Sequence, residues 1–254
     1  NLKKLLAIVV CIAMMVPTVA FAATSSPTKV NVKSATAKSL TYNAKSQTTT
    51  IVVNCKTLTL NKDFKVVSGS LKATKAGTYT VKIKGIGNYS GDTTVKYTVN
   101  AQQSYKATAA AKTYNAKNQT TKVTVKYGNT VLKRGTDYKI TGVTRAKNAG
   151  KYKITVKGIN NYKGTKTIYY TINKAAQKSV KVKVNASKKK ITVSGVKAKA
   201  KVTYKSANKK VKVKNGKITV GKGVKKGTKV RITVKVAATK NYKAYSKSII
   251  YKVK

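Results

Sequence analysis

Apolar and polar residues alternate along most of this chain. In GTYTVKIKG (77–85), Tyr79, Val81 and Ile83 alternate with Thr80, Lys82 and Lys84. In GKYKITVKG (150–158), Tyr152, Ile154 and Val156 alternate with Lys153, Thr155 and Lys157, and in KVRITVKV (229–236), Val230, Ile232, Val234 and Val236 alternate with Arg231, Thr233 and Lys235. A period of two with β-branched residues on one side predicts strands that turn one face to a core and the other to solvent. The first residues of each set are therefore expected inside. Lys82, Lys84, Lys153, Lys157, Arg231 and Lys235 are expected outside, as are Lys181 and Lys183 against Val180, Val182 and Val184. Helical spacing is not sustained after residue 22. Glycines fall between or at the ends of the runs, and Asn215-Gly216, between VKVK and KITV, predicts a tight hairpin.

The pattern recurs. Tyr42-Asn43-Ala44-Lys45 matches Tyr114-Asn115-Ala116-Lys117 at an offset of 72, and Gly77, Tyr79, Gly85, Asn88, Tyr89 and Gly91 match Gly150, Tyr152, Gly158, Asn161, Tyr162 and Gly164 at 73. Asp63-Phe64 and Asp137-Tyr138 lie 74 apart, so the small length changes fall in turns. Such a period marks a repeated folding unit. A third, divergent copy keeps Asn241-Tyr242 where the others have Asn-Tyr. The expected division is 27–100, 101–174 and 175–254, joined by very short linkers. The expected fold is all-β: short antiparallel strands in β-sandwich modules of about seventy to eighty residues.

Residues 1–22 read differently. Lys3 and Lys4, an apolar run and Ala20-Phe21-Ala22 have the form of an export signal cut after Ala22, the alternative being a retained anchor. Cleavage leaves Cys55 as a lone thiol, expected as a small buried or half-buried strand residue, with packing alone holding each module. Removing Lys3 and Lys4 takes 56 basic residues to 54 and the formal charge from +53 to +51.

That charge sits on a chain with 41% hydrophobic residues, enough for packed cores and too many for a disordered polycation. His, Trp and Glu are absent, and the acids are Asp63, Asp92 and Asp137. This inventory argues against an enzyme, and neither a catalytic, a cofactor nor a metal site is expected. Asp63 and Asp137, at matching positions before an aromatic residue, are expected to cap turns; ligand binding and a carboxylate-assisted Lys–Asn isopeptide cross-link are the alternatives. The 16 tyrosines are interleaved with lysines, as in base-stacking surfaces, but Tyr79 and Tyr152 share the parity of core residues. Tyr89, Tyr162 and Tyr242 suit sandwich corners.

The two repeats resemble the Ig-like repeats of secreted and wall-associated proteins of Gram-positive bacteria. Tyr114–Lys117, Leu132–Tyr138, Asn148–Gly150 and Asn161–Gly164 carry the resemblance, looking like that family's YNGK, GTDY, NAG-x-Y and GNY-x-G. The third segment is similar to a group-2 bacterial Ig-like domain through TYKSANKKVKV, NGKITV and GTKVRITVKVAATKNY. The resemblance implies tandem Ig-like sandwiches serving as stalks, spacers or adhesive modules, outside the cell or on its wall. Its charge departs from the usual mixed or acidic surface of these repeats, which argues against calcium.

One-sided charge attracts polyanions strongly and with little selectivity. The expected partners are anionic polymers or an anionic cell surface: wall teichoic acid, acidic glycans, extracellular DNA and other nucleic acid met non-specifically. The candidate contacts are diffuse: Lys82, Lys84, Lys153, Lys157, Lys181, Lys183, Arg231 and Lys235. The competing expectation is a passive spacer whose charge is incidental.

Overall fold

A computed structural model describes residues 28–254. The leader proposed for 1–22 lies outside the described residues. Packing divides the chain into two compact units. One holds the described residues up to Tyr105 with Tyr127–Lys139 and Lys157–Thr165; the other holds Lys106–Lys126, Ile140–Val156 and Lys166–Lys254. The division runs through the second repeat.

In the first unit, the alternating runs become a four-stranded sheet in the order Leu40–Thr41, Asp92–Asn100, Gly77–Gly85, Phe64–Gly69. Asp92–Asn100 and Gly77–Gly85 pair antiparallel, with Val95 opposite Val81 and Tyr97 opposite Tyr79. A second sheet holds Thr36–Ala37, Ile51–Val53 and Lys56–Thr57. Between them lie Val32, Ile51, Val53, Leu58, Phe64, Val81, Ile83 and Val95, all buried. Two sheets closing over one apolar layer make a β-sandwich, and the period-two side chains build it because alternate residues share a face.

The second unit repeats this design in the third segment. Lys181–Asn185, Lys190–Ser194, Lys217–Val220 and Val211–Lys214 form one sheet, in that order; Val202–Ser206, Lys229–Val236 and Tyr245–Lys252 form the other. Val182, Ile191, Val211 and Ile218 meet Val230, Ile232, Val234, Val236 and Tyr251 in the core. Asn215-Gly216 does close a hairpin, with φ of 47° and 78°. Positive φ at both positions matches the right-handed twist of the paired strands. A side chain on Gly216 would sit 2.4 Å from the Ile191 carbonyl oxygen, so glycine is required there twice over. In the part of the second repeat that belongs to this unit, Lys106–Ala109 pairs antiparallel with Val123–Tyr127. Among the described residues, the helical elements are two single turns of 3₁₀ helix, Val32–Ser34 and Lys197–Lys199. The protein is thus a tandem Ig-like β-sandwich chain.

Two expectations need correcting. Cys55 is not on a strand: it occupies the Asn54-Cys55 turn between Ile51–Val53 and Lys56–Thr57, exposed and at φ 63°. A two-residue turn with positive φ throws its side chains outward, away from the core. The chain's other cysteine, Cys11, lies outside the described residues. Tyr79 and Tyr152 are half-buried rather than core. Each stacks on its cross-strand neighbour, Tyr79 on Tyr97 and Tyr152 on Tyr170, with ring centroids 5.2 Å apart in both pairs. Their hydroxyls donate to the carbonyls of Lys75 (2.8 Å) and Asn148 (2.7 Å), which is why the rings stop at the core's rim.

Candidate functional site

Every cation singled out in the sequence is exposed: Lys82, Lys84, Lys153, Lys157, Lys181, Lys183, Arg231 and Lys235, while their strand neighbours Val81, Ile83, Ile154, Val156, Ile232 and Val234 are fully buried. Strand alternation places each charge, because a one-residue slip would bury it. Lys82 alone of the eight has an acidic partner: its Nζ lies 3.3 Å from Asp92 Oδ2 in an exposed pair, which contributes little to stability.

The third segment has two contrasting outer faces. On the Lys181–Asn185 sheet, Asn185, Lys190, Lys217 and Lys214 stand side by side across four strands. Like charges in directly opposed positions repel, a cost that a bound polyanion would relieve. On the Lys229–Val236 sheet, Lys205, Thr233 and Ser248 form one row and Thr203, Lys235 and Ser246 the next, with Arg231 opposite Ile250.

The two aspartates do the same thing in the same way. Asp63 Oδ2 accepts from the Thr59 backbone N–H and Asp137 Oδ2 from that of Lys133, each at 2.8 Å. The backbone N–H of each aspartate returns a bond to that same residue's carbonyl, and each aspartate carbonyl accepts from Ile86 or Ile159. Both carboxylates are half-buried and committed to backbone donors, which favours a turn-closing use over ligand capture. Among the described residues, no three His, Cys, Asp or Glu side chains gather to hold a metal.

A second repeated device was not read from the sequence. In the first unit, Asn161 Oδ1 accepts from Ala76 N–H at 2.8 Å, and the Tyr162 ring meets the Tyr42 ring edge-on, centroids 5.6 Å apart. In the second, Asn241 Oδ1 accepts from Ala149 N–H at 2.8 Å, Asn241 Nδ2 donates to Asn148 Oδ1 at 3.0 Å, and Tyr242 meets Tyr114 edge-on at 5.3 Å. The chain entering each copy is stitched to the same Asn-Tyr pair. Val30, Gln102 and Ala175 donate their backbone N–H groups to the carbonyls of Asn88, Asn161 and Asn241. Asn-Tyr therefore fastens the linker of its own copy, and at 161–162 and 241–242 it also grips the Tyr-Asn-Ala-Lys and Ala-Gly segments of the preceding one. The signal was present: the divergent third segment keeps this pair.

Tyr162 is the most perturbed of these side chains. Burial, helped by the neighbouring Tyr42 and the Asp137 carboxylate, pushes its hydroxyl up to about 12. A hollow of about 370 Å³ is lined by Lys75, Ala76, Thr136, Asp137, Asn160 and Asn161.

No family model and no curated protein matches the chain. Among solved structures, Drosophila N-cadherin EC1-4 is similar at 11% identity over 86% of this chain and 73% of its own, with a TM-score of 0.25. The human desmocollin-1 ectodomain is similar at 9% identity over 89% of this chain and 60% of its own, TM-score 0.22. Sidekick-1 immunoglobulin domains 1-5 are similar at 11% identity over 87% of this chain and 58% of their own, TM-score 0.24. The chain spans less than two thirds of the last two. Superpositions this loose carry no functional weight, and the fold rests on the sheets and cores described above.

Proposed function

We propose that this is a non-enzymatic Ig-like repeat protein, exported to the cell surface or wall of a Gram-positive bacterium. In this reading it adheres there to anionic polymers through lysine-rich strand faces. Three modules, 27–100, 101–174 and 175–254, follow a cleaved leader, the third of the group-2 bacterial type. The observation that carries the reading is the placement of charge. Cations occupy outward strand positions in every copy, while the acids are few and two of them are committed to turns. Rows of Lys neutralise several anionic groups at once, with counterion release as the driving force. Wall teichoic acid, acidic glycans and extracellular DNA all meet that description, and Lys, a point charge without a fixed fork, selects weakly among them. Retention of the purified protein on teichoic acid, heparin-like and DNA supports, titrated with salt, tests it. Elution from all three at similar moderate salt is expected; passage through all three at low salt would overturn it.

The passive spacer has its own support in the Asn161 and Asn241 contacts, which pin successive copies. It predicts unchanged pinning with no retention on any polyanion.

A further inference from the structure

Resting on the polyanion reading above, we infer that one face of the third segment is a built site for a phosphate-bearing linear polymer, a site formed by Lys205, Arg231 and Lys235 on the outer side of the Lys229–Val236 sheet. The register puts Lys205 opposite Thr233, between Arg231 and Lys235 on the neighbouring strand. Lys205 is thus a diagonal neighbour of both. Diagonal positions on one face lie about 7–8 Å apart, within reach of long side chains converging on one oxyanion. Each cation faces a residue of another kind: Lys205 faces Thr233, Lys235 lies between Thr203 and Ser246, and Arg231 faces Ile250. The other sheet instead sets Lys190, Lys217 and Lys214 side by side. The first arrangement gathers charge without the nearest-neighbour repulsion of the second.

Two further observations point to a ligand. Thr233 Oγ1 and Ser248 Oγ lie 3.1 Å apart and share one hydrogen bond, which leaves one O–H of the pair to donate beside the cations. The surface is also concave. A hollow of about 340 Å³ is lined by Lys205, Ser206, Ala207, Arg231, Thr233 and Lys235. A neighbouring one of about 440 Å³ includes Lys201, Thr203, Lys235, Tyr245 and Ser246. They share Lys235, so the two form a path along the strand rather than an isolated pocket. Arg231 adds a planar fork, suited to two oxygens of one phosphate, and the remaining O–H of the Thr233–Ser248 pair can meet a third oxygen. A carboxylate has only two oxygens and leaves that O–H unused.

The test compares the mature protein with two triple variants of equal charge loss, using inorganic polyphosphate as probe. In the site, K205Q/R231Q/K235Q is expected to weaken binding about tenfold or more and to flatten the log–log salt slope by about 2. On the opposite sheet, K183Q/K190Q/K212Q is expected to weaken it less than about threefold, a change on the scale of non-specific charge loss. Unchanged thermal midpoints establish that both variants fold, and if the first triple does not, the single variant Arg231→Gln takes its place with a smaller loss in the same direction. Equal losses in the two triples would overturn the site while leaving the polyanion reading intact. Failure of the unaltered protein to bind polyphosphate at low salt would overturn both. Polyglutamate of matched length binding as tightly as polyphosphate would overturn the choice of phosphate.

Discussion

The places where successive copies meet and the faces of their sheets follow opposite rules. Where copies meet, specific chemistry recurs: Asn161 on Ala76 and Asn241 on Ala149 at the same 2.8 Å, and Tyr162 on Tyr42 and Tyr242 on Tyr114 in the same edge-on geometry. On the faces only the sign of the charge recurs, while the rows differ from sheet to sheet. A hydrogen bond to one backbone N–H tolerates little displacement, so its residues are fixed one by one. A diffuse field tolerates rearrangement provided the charge remains. The first rule builds a defined succession of copies; the second suits adherence to a polymer of variable chemistry.

The largest expected effect tests the second rule. Reversing a whole outward face, with Lys181, Lys183, Lys190, Lys212, Lys214 and Lys217 changed to Glu, should reduce affinity for polyanions about a hundredfold or more at low salt, because six contacts become repulsive. The contacts between copies should be untouched, and a fall in thermal midpoint along with binding would show that faces and cores are not independent.

Next in size is Asp137→Ala. It leaves the Lys133 N–H without its carboxylate partner and should cost about 1–3 kcal/mol of stability, read as a lower unfolding midpoint, with polyanion binding unchanged. Loss of binding at constant stability would assign the carboxylate to a ligand instead.

Asn241→Ala should cost about 1 kcal/mol, since Ala149 N–H loses its acceptor. Asn88→Ala is the matched control, an exposed side chain at the corresponding position of the first repeat. Equal effects at both positions would mean that Asn-Tyr matters only for stitching its own linker.

Most of the fold was legible in the sequence because strand alternation has a period of two, and Val81, Ile83, Ile154 and Ile232 point where that period sends them. The matching positions of Asp63 and Asp137 were legible because acids are so few in this chain, whereas the Thr59 and Lys133 N–H groups that their carboxylates meet were not. The grip of Asn161 and Asn241 was not. An Asn beside a Tyr equally describes a sandwich corner, and only the approach of Ala76 and Ala149, more than eighty residues away in sequence, distinguishes the two. Cys55 was misplaced for a similar reason: a strand that stops after Val53 and restarts at Lys56 gives no apolar break to read. The path through Lys205, Arg231 and Lys235 required the cross-strand register, which alternation within one strand does not contain.

A subtler effect distinguishes the Tyr162 contact from ordinary burial. With its hydroxyl raised to about 12, Tyr162 is neutral in the folded chain while the unfolded chain ionises from about pH 10. Its contribution is whole below pH 10 and is lost as the pH rises from there through 12. Lysine neutralisation in the same range relieves self-repulsion and acts in the opposite direction, so the quantity to measure is the difference between the unaltered protein and Tyr162→Phe. That difference should change in favour of the phenylalanine variant between pH 10 and 12. A difference that stays flat would separate the shift from stability.

The central claim, adherence through many outward cations, is tested most directly by the affinity of the mature protein for polyphosphate as salt is raised. The expected result is a straight log–log line whose slope corresponds to several released counterions, with any single Lys→Gln change weakening binding by less than about twofold. Tight binding that persists in molar salt, or that one lysine substitution abolishes, would contradict it.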